Sequence, residues 1–171
     1  MNIVEFNSHF KSENLKGIKL SIFQEFQFYW VREGVLAGSS RPKSVEDLHF
    51  IADQGIKRII SISAPNKIKE YAKGLSIEVI PMEFENYMIP TENQLKNFFS
   101  IMKESIKEKK PVLVHCQMGC GRTGLLLTSF VMKFEKKDFN QSLYEIRKIR
   151  PCAVETEMQL EYLESLYFYH Y

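Results

Sequence analysis

One segment gathers the residue types that do covalent chemistry: His115-Cys116-Gln117-Met118-Gly119-Cys120-Gly121-Arg122-Thr123-Gly124. It follows Val112-Leu113-Val114, a wholly apolar run that reads as a strand buried on both faces of a sheet. It opens into a strongly apolar helix, Thr123 to Phe134. Ligands of open α/β sheets bind at such a place, beyond the carboxyl end of a strand. A glycine-spaced turn there lets successive N–H groups converge on one anion, and the helix N-terminus adds about half a positive charge. Arg122 brings a planar fork of donors that grips two oxygens of a phosphate. Cys116 stands at the base of this cup, where a helix end and a nearby cation favour the thiolate form of a cysteine. A thiolate facing a bound phosphate is a nucleophile aimed at an electrophile.

The rest of the chain must position that loop. Trp30 to Leu36 reads as a short strand that runs into a turn, Ala37-Gly38-Ser39-Ser40-Arg41-Pro42. Ser44, with Asp47 three residues on and Leu48, Ile51 and Ala52 beyond it, predicts a helix ending at Gly55. Ile56 to Ser63 and Leu75 to Met82 read as strands. Leu95, Phe98, Phe99, Met102 and Ile106 recur at helical spacing between Thr91 and Lys109, and Pro111 closes that helix. Two further amphipathic helices are expected over Phe139–Ile149 and Glu155–Phe168. Strands alternating with helices predict a single α/β domain with a central, mostly parallel sheet flanked by helices. Residues 1–25 are expected to be a lead-in packed on a catalytic domain over 26–171. The aromatic group Phe23, Phe26, Phe28, Tyr29 and Trp30 is expected to be core beneath the first strand.

The 171 residues suffice for one domain that folds without staples, and 44% apolar with 26% charged residues exclude a disordered or fibrous chain. A net charge of +2 is too small to argue for nucleic acid. No apolar run approaches the roughly 18 residues needed to span a bilayer, and the polar N-terminus lacks the pattern of a signal peptide. Three cysteines, Cys116, Cys120 and Cys152, are an odd count that argues against a disulfide framework and for reduced thiols in the cytoplasm. Cys120 and Cys152 are expected to be neutral fillers, each with the capacity to trap an oxidised Cys116. No metal-ligand spacing is present, and no cofactor is expected.

The pattern HC-x2-G-x2-RTG resembles the C-x5-R loop of the cysteine-dependent protein tyrosine phosphatase superfamily. With FYWVREGVLAGSSRP before it and EIRKIRPCAVETEMQ after it, the chain resembles the small atypical dual-specificity phosphatases and the archaeal tyrosine phosphatases from about Phe26 to Leu166. The resemblance implies a dual-specificity-phosphatase-like fold. It implies hydrolysis of phosphotyrosine in protein substrates, with phosphoserine or phosphothreonine as further targets, through a thiophosphoryl-cysteine intermediate. Cys116 would be the nucleophile. Arg122 and the N–H groups of Gln117, Met118, Gly119, Cys120 and Gly121 would hold the phosphoryl oxygens. Thr123 would stabilise the departing thiolate, His115 would orient the loop, and Gln159 matches a glutamine that helps to position the hydrolytic water. Phosphate and oxyanions such as vanadate would bind, and the protein is expected to act as a monomer without a membrane or nucleic-acid partner.

The family's general acid, an aspartate on a loop shortly before a proline, has no counterpart, because the chain has no aspartate between Asp53 and Asp138. The matching loop runs from Ile80 to Thr91 and ends at Pro90. Four residues before that proline stands Asn86, which is no proton donor. Five before it stands Glu85, the expected acid, with Glu83 the next candidate. A phosphoanhydride leaving group needs little protonation. The missing aspartate therefore keeps open an RNA 5′-triphosphatase or nucleotide phosphatase on the same fold, and a non-catalytic phosphate-binding module.

Overall fold

The computed structural model describes residues 26–170. The expected lead-in over residues 1–25, with Phe23 in it, lies outside the described residues. Five strands and six helices follow in order: β1 (Phe28–Arg32), β2 (Leu36–Ser39), α1 (Val45–Asp53), β3 (Arg58–Ser61), α2 (Pro65–Tyr71), β4 (Glu78–Pro81), α3 (Glu92–Glu108), β5 (Val112–His115), α4 (Gly121–Glu135), α5 (Phe139–Ile149) and α6 (Glu157–His170). They build one sheet in the order β1-β2-β5-β3-β4, parallel except for the antiparallel edge strand β1. The α/β expectation therefore holds.

The single strand expected over Trp30–Leu36 is instead the end of β1, a turn at 33–35 and the start of β2, and Ala37–Ser39, expected in a turn, belong to β2. Gly34 adopts a positive φ, the N–H of Val35 bonds the carbonyl of Arg32, and the chain folds back at Glu33-Gly34. Alternation alone did not reveal the reversal, because apolar residues continue on both sides of it. The helix α2 was also unforeseen. Its lysines and only two buried residues, Pro65 and Ile68, leave little periodic signal, and Pro65 at its first turn supplies the start. Elsewhere the local chemistry acts as written. Ser44 caps α1 by accepting from the N–H of Asp47, and Thr91 with Gln94 forms a capping box at α3.

Each central strand serves two cores, because alternate side chains leave opposite faces of a sheet. On β5, Val112 and Val114 join Phe98, Met102, Leu125, Phe130, Ile146 and Leu163 beneath α3 to α6. Leu113 joins Ile59, Ile51 and Ile68 beneath α1 and α2. All the residues of β5 are buried, which accounts for its uninterrupted apolar run. Phe26 is buried in the α1–α2 core, with Phe28 and Trp30 half-buried against it. At the amino end of the sheet the buried guanidinium of Arg58 bonds Glu78, Ser105, Glu104 and Glu108, so it carries charge inward only with partners. That arrangement holds β3 and β4 to α3 and leaves the carboxyl ends of β2, β3 and β5 as the open face. Among the described residues no helix is long and apolar enough to cross a membrane.

Candidate active site

The loop from Cys116 to Cys120 leaves β5 at that open face and becomes α4 at Gly121. Its shape is enforced from outside. Gly119 has a φ of 71°, and a Cβ there would stand 2.5 Å from the carbonyl oxygen of Ser39, so only glycine fits against β2. The hydroxyl of Tyr29 donates to the carbonyl of Gly119 at 3.0 Å. Arg150 donates from Nη2 to the carbonyl of Met118 at 2.8 Å and from Nε to that of Gly119 at 3.3 Å. Its guanidinium also lies over the Tyr29 ring, 5.9 Å from the centroid. These contacts take up loop carbonyls. Inside the loop, the N–H of Gly119 points to Cys116 Sγ at 3.2 Å. Burial pushes the ionisation of the Tyr29 phenol well above its ordinary range, with Arg150 opposing and Cys116 adding to the effect, so the phenol keeps its donor proton.

Cys116 is 3% exposed and is the free cysteine among the described residues. Cys120 and Cys152 form a disulfide, with Cα atoms 5.2 Å apart. This corrects the expectation of three reduced thiols and of a redox partner for Cys116 in either of them. The turn between α5 and α6 carries Cys152 to the first turn of α4, an approach that their separation of 32 residues does not disclose. The cysteine count therefore no longer argues for a reducing compartment. Closing a loop of that length stabilises a fold by about 2–4 kcal/mol. Cys152→Ser is expected to lower the thermal midpoint correspondingly, measured by calorimetry without reductant, while dithiothreitol brings the wild type to the same midpoint.

Arg122 is buried at 7% exposure on the first turn of α4. Its Nη1 donates to the carbonyl of Phe84 at 2.8 Å, whereas its buried Nε has no partner. Among the described residues six buried polar side-chain atoms lack a partner. Those on Ser39, Ser63, His115, Arg122 and Thr123 lie at or just beyond the carboxyl ends of β2, β3 and β5. Buried donors without partners are costly, and their concentration in one place marks a site that offers hydrogen bonds to something else.

His115 is fully buried, with Nδ1 3.3 Å from the carbonyl oxygen of Cys116. Burial, with the charges of Arg41 and Arg122, lowers its pKa to about 4 against the hydrogen bond that favours its charged form. The folded state thus binds its proton less readily than the unfolded chain does, where histidine titrates near 6.5. Stability is complete above that value and falls as the pH drops from about 6.5 to 4, by up to about 3 kcal/mol. A thermal midpoint followed from pH 7 to 4.5 is expected to decline, and His115→Gln is expected to flatten that decline.

The loop between β4 and α3 carries the acid candidates. It is tied down by its carbonyls: Gln94 bonds that of Glu83, Arg122 that of Phe84, Thr156 that of Tyr87 and Gln159 that of Met88. Glu83 and Glu85 flank the residue that Arg122 holds, and both are exposed, as are Asn86 and Tyr87. Gln159 is fully buried, and its amide is committed on both sides. Its Oε1 accepts from the N–H of Glu155 at 3.0 Å, and its Nε2 donates to Met88. The structure thus uses it to fasten the loop to α6. Gln117 and Met118 lie exposed on the rim of the loop from Cys116 to Cys120.

Three contributors escaped the sequence reading: Tyr29 and Arg150, which brace the loop, and Glu155. Cys120 offers α4 no side-chain cap, and Glu155 Oε2 instead accepts the N–H of Gly121 at 2.8 Å. Val154, a β-branched residue at φ 62°, turns the chain into that position, while Arg147 holds the carbonyls of Ala153 and Val154. No periodicity signals such contacts. Only an acidic residue near a left-handed turn could have drawn attention to Glu155.

The family model for the DSP-PTPase phosphatase domain of Swiss Army Knife proteins (PTP-SAK) matches residues 25–162. The tyrosine-protein phosphatase CDC14 of Saccharomyces cerevisiae is 26% identical over 107 residues, which cover 63% of this chain and 19% of that protein. The protein tyrosine phosphatase domain-containing protein 1 of Mus musculus is 27% identical over 152 residues, covering 77% of this chain and 20% of that protein. The chain spans about a fifth of the length of these curated relatives. Among solved structures, Tk-PTP in the active form superposes with a TM-score of 0.75 at 27% identity, covering 83% of this chain and 97% of that one. PTPMT1 in complex with PI(5)P shares the fold, with a TM-score of 0.70 at 14% identity over 82% of this chain and 94% of that one. Since the family model runs through the sheet, the loop from Cys116 to Cys120 and the start of α6, the chain belongs to the DSP-PTPase phosphatase domain family.

Proposed function

We propose that the protein is a cysteine-dependent phosphatase that hydrolyses phosphotyrosine in protein substrates. The observation that supports this most is the placing of Cys116 and Arg122 on one loop, with Arg122 Nε buried and unpartnered beside the thiol-bearing turn. In the first step Cys116 Sγ attacks phosphorus, an S–P bond forms and the P–O ester bond breaks. Arg122 and the N–H groups from Gln117 to Arg122 hold the charge on the three equatorial oxygens. Glu85, protonated, gives its proton to the leaving oxygen, and Glu83 is the alternative donor. In the second step water attacks phosphorus, the S–P bond breaks, the thiolate returns and the carboxylate takes the water's proton. The unpartnered hydroxyl of Thr123 suits stabilisation of that thiolate. Monomeric action in the cytoplasm remains part of the proposal.

A general acid contributes about 10²–10⁴-fold, and mostly where the leaving group is a strong base. Glu85→Gln is expected to slow phenyl phosphate about 10²-fold and a strongly activated aryl phosphate severalfold or less. Equal losses on both substrates, measured as kcat, would exclude Glu85 as the donor.

The absence of aspartate from residues 54 to 137, with Glu83 and Glu85 both exposed, favours one second reading, an RNA 5′-triphosphatase. One assay separates the two: p-nitrophenyl phosphate, a phosphotyrosine peptide and an RNA 5′-triphosphate, without metal, alongside Cys116→Ser. Peptide turnover that vanishes in the variant supports the proposal, and a preference for RNA replaces it with the second reading. Silence on every substrate, with vanadate still bound, leaves a phosphate-binding module.

A further inference from the structure

The disulfide between Cys120 and Cys152 is anchored in the loop that carries Cys116, because Cys120 is the last residue of that loop before α4. Its two ends are unequal. Cys152 is exposed on the turn between α5 and α6, whereas Cys120 is only 5% exposed. Arg150 Nη2 stands 3.4 Å from Cys120 Sγ. A neighbouring guanidinium favours the thiolate form of a cysteine, and the more acidic thiol is the better leaving group in thiol–disulfide exchange. An incoming thiolate therefore meets Cys152 Sγ first and expels Cys120 as a thiolate facing Arg150.

The same guanidinium braces the loop. While the disulfide stands, Arg150 gives its N–H groups to the carbonyls of Met118 and Gly119, and its bonds among the described residues include no carboxylate. Its positive charge therefore stands uncancelled behind the loop. Once Cys120 is a thiolate, an anion lies against Nη2, the atom that also holds the Met118 carbonyl. The brace is drawn toward the sulfur, and a negative charge is added beside the place where an oxyanion would bind. Cys116 is not one of the bonded sulfurs, so this change is separate from oxidation of the nucleophile.

We propose that the Cys120–Cys152 pair is a redox switch on oxyanion binding: the loop binds its anion tightly while the disulfide is formed and weakly once a dithiol has opened it. This rests on the phosphatase reading above and adds its regulation. One thiolate of the dithiol bonds to Cys152 Sγ as the S–S bond breaks and Cys120 departs. The second thiol of the reductant then attacks that mixed disulfide, frees Cys152 and leaves the reductant as its own disulfide. Two electrons pass to the cysteine pair. One proton ends on Cys152 and the other goes to solvent, while Cys120 stays a thiolate against Arg150. Exchange with a small-molecule disulfide runs the same steps backwards. In the cytoplasm proposed above, lasting disulfides are rare, and those that form there mostly act as sensors.

The test measures tungstate affinity by calorimetry in the full chain carrying Cys116→Ser, which leaves Cys120 and Cys152 as the remaining cysteines. One sample is treated with oxidised glutathione and one with dithiothreitol, each reagent is then removed, and the temperature is kept well below the midpoint of the reduced protein. Alkylation and mass spectrometry count the free thiols. Reduction is expected to weaken tungstate binding roughly tenfold. Two further variants separate the thiolate from the loss of a cross-link. With Cys152→Ser added, Cys120 keeps its sulfur, and tungstate should bind roughly tenfold more weakly than with Cys120→Ser added, which has no thiolate beside Arg150. Free thiols that persist after oxidised glutathione, equal affinity in the two redox states, or equal affinity of these two variants overturns the switch. No tungstate binding in either state removes the anion site and the switch with it. Turnover of p-nitrophenyl phosphate by the wild type keeps the two proposals apart. Redox-dependent tungstate binding without turnover upholds the switch and removes the enzymatic reading. Turnover with redox-independent binding does the reverse.

Discussion

Cys116→Ser is expected to reduce turnover of every phosphomonoester by at least about 10⁴-fold while phosphate and vanadate still bind. A serine hydroxyl at its ordinary acidity is a poor nucleophile, and the bond that the position-116 side chain makes among the described residues is from the N–H of Gly119, a donor that takes no proton. His115, the adjacent base by sequence, is buried against the Cys116 carbonyl and shares the loop's cationic surroundings. The loop itself is held by Tyr29, Arg150 and the packing of Gly119 on β2, none of which involves the sulfur, so the anion cradle survives the substitution. Single-turnover assays and vanadate titration of the same preparation check both halves. Residual turnover within a hundredfold of wild type would remove Cys116 from the mechanism.

Arg122→Lys is expected to cost about 10²–10⁴-fold in kcat, with a smaller change in KM. One lost transition-state donor in a preorganised site is worth about 10²–10³-fold, and this substitution removes more than a donor. The guanidinium holds the Phe84 carbonyl with Nη1 and keeps Nε buried without a partner, joining the first turn of α4 to the loop that carries Glu83 and Glu85. A lysine ammonium is a point charge and cannot do both from one position. The Phe84 carbonyl would then lose its tether, and Glu83 and Glu85 beside it would lose their placing. A pH–rate profile distinguishes the two contributions. If the acid loop is displaced, the variant loses the limb that reports the general acid as well as the overall rate. A variant within tenfold of wild type would refute the role.

Much of the architecture was legible because it is written in neighbouring residues. The helix α5 appears at its expected bounds, since its apolar residues repeat with the helical period and Asp138 caps it. The helix α3 lies within the span from Thr91 to Lys109 that its apolar spacing predicted. β5 and its following loop are contiguous, so nucleophile, turn and arginine could be read together. The errors have equally specific causes. The hairpin at Glu33-Gly34 was read as one strand because its apolar residues do not stop at the turn, and α2 lacked the periodicity by which helices are recognised.

The segment from β5 into α4 was legible from the chain alone because it is contiguous. A buried strand, Cys116, five residues with glycine, Arg122 and a helix follow one another in the chain, so their order and their place at the strand end could be read from neighbouring residues, whereas the loop's shape is held from other elements. Tertiary structure alone decided what surrounds that segment. It chose Tyr29 and Arg150 as braces, put Glu155 on the N–H of Gly121, committed Gln159 to Met88 and bonded Cys120 to Cys152. Each of these contacts joins residues from separate elements. Their approach is set by how the two cores on either face of the sheet pack, and that packing leaves no signature in the spacing of residues along the chain.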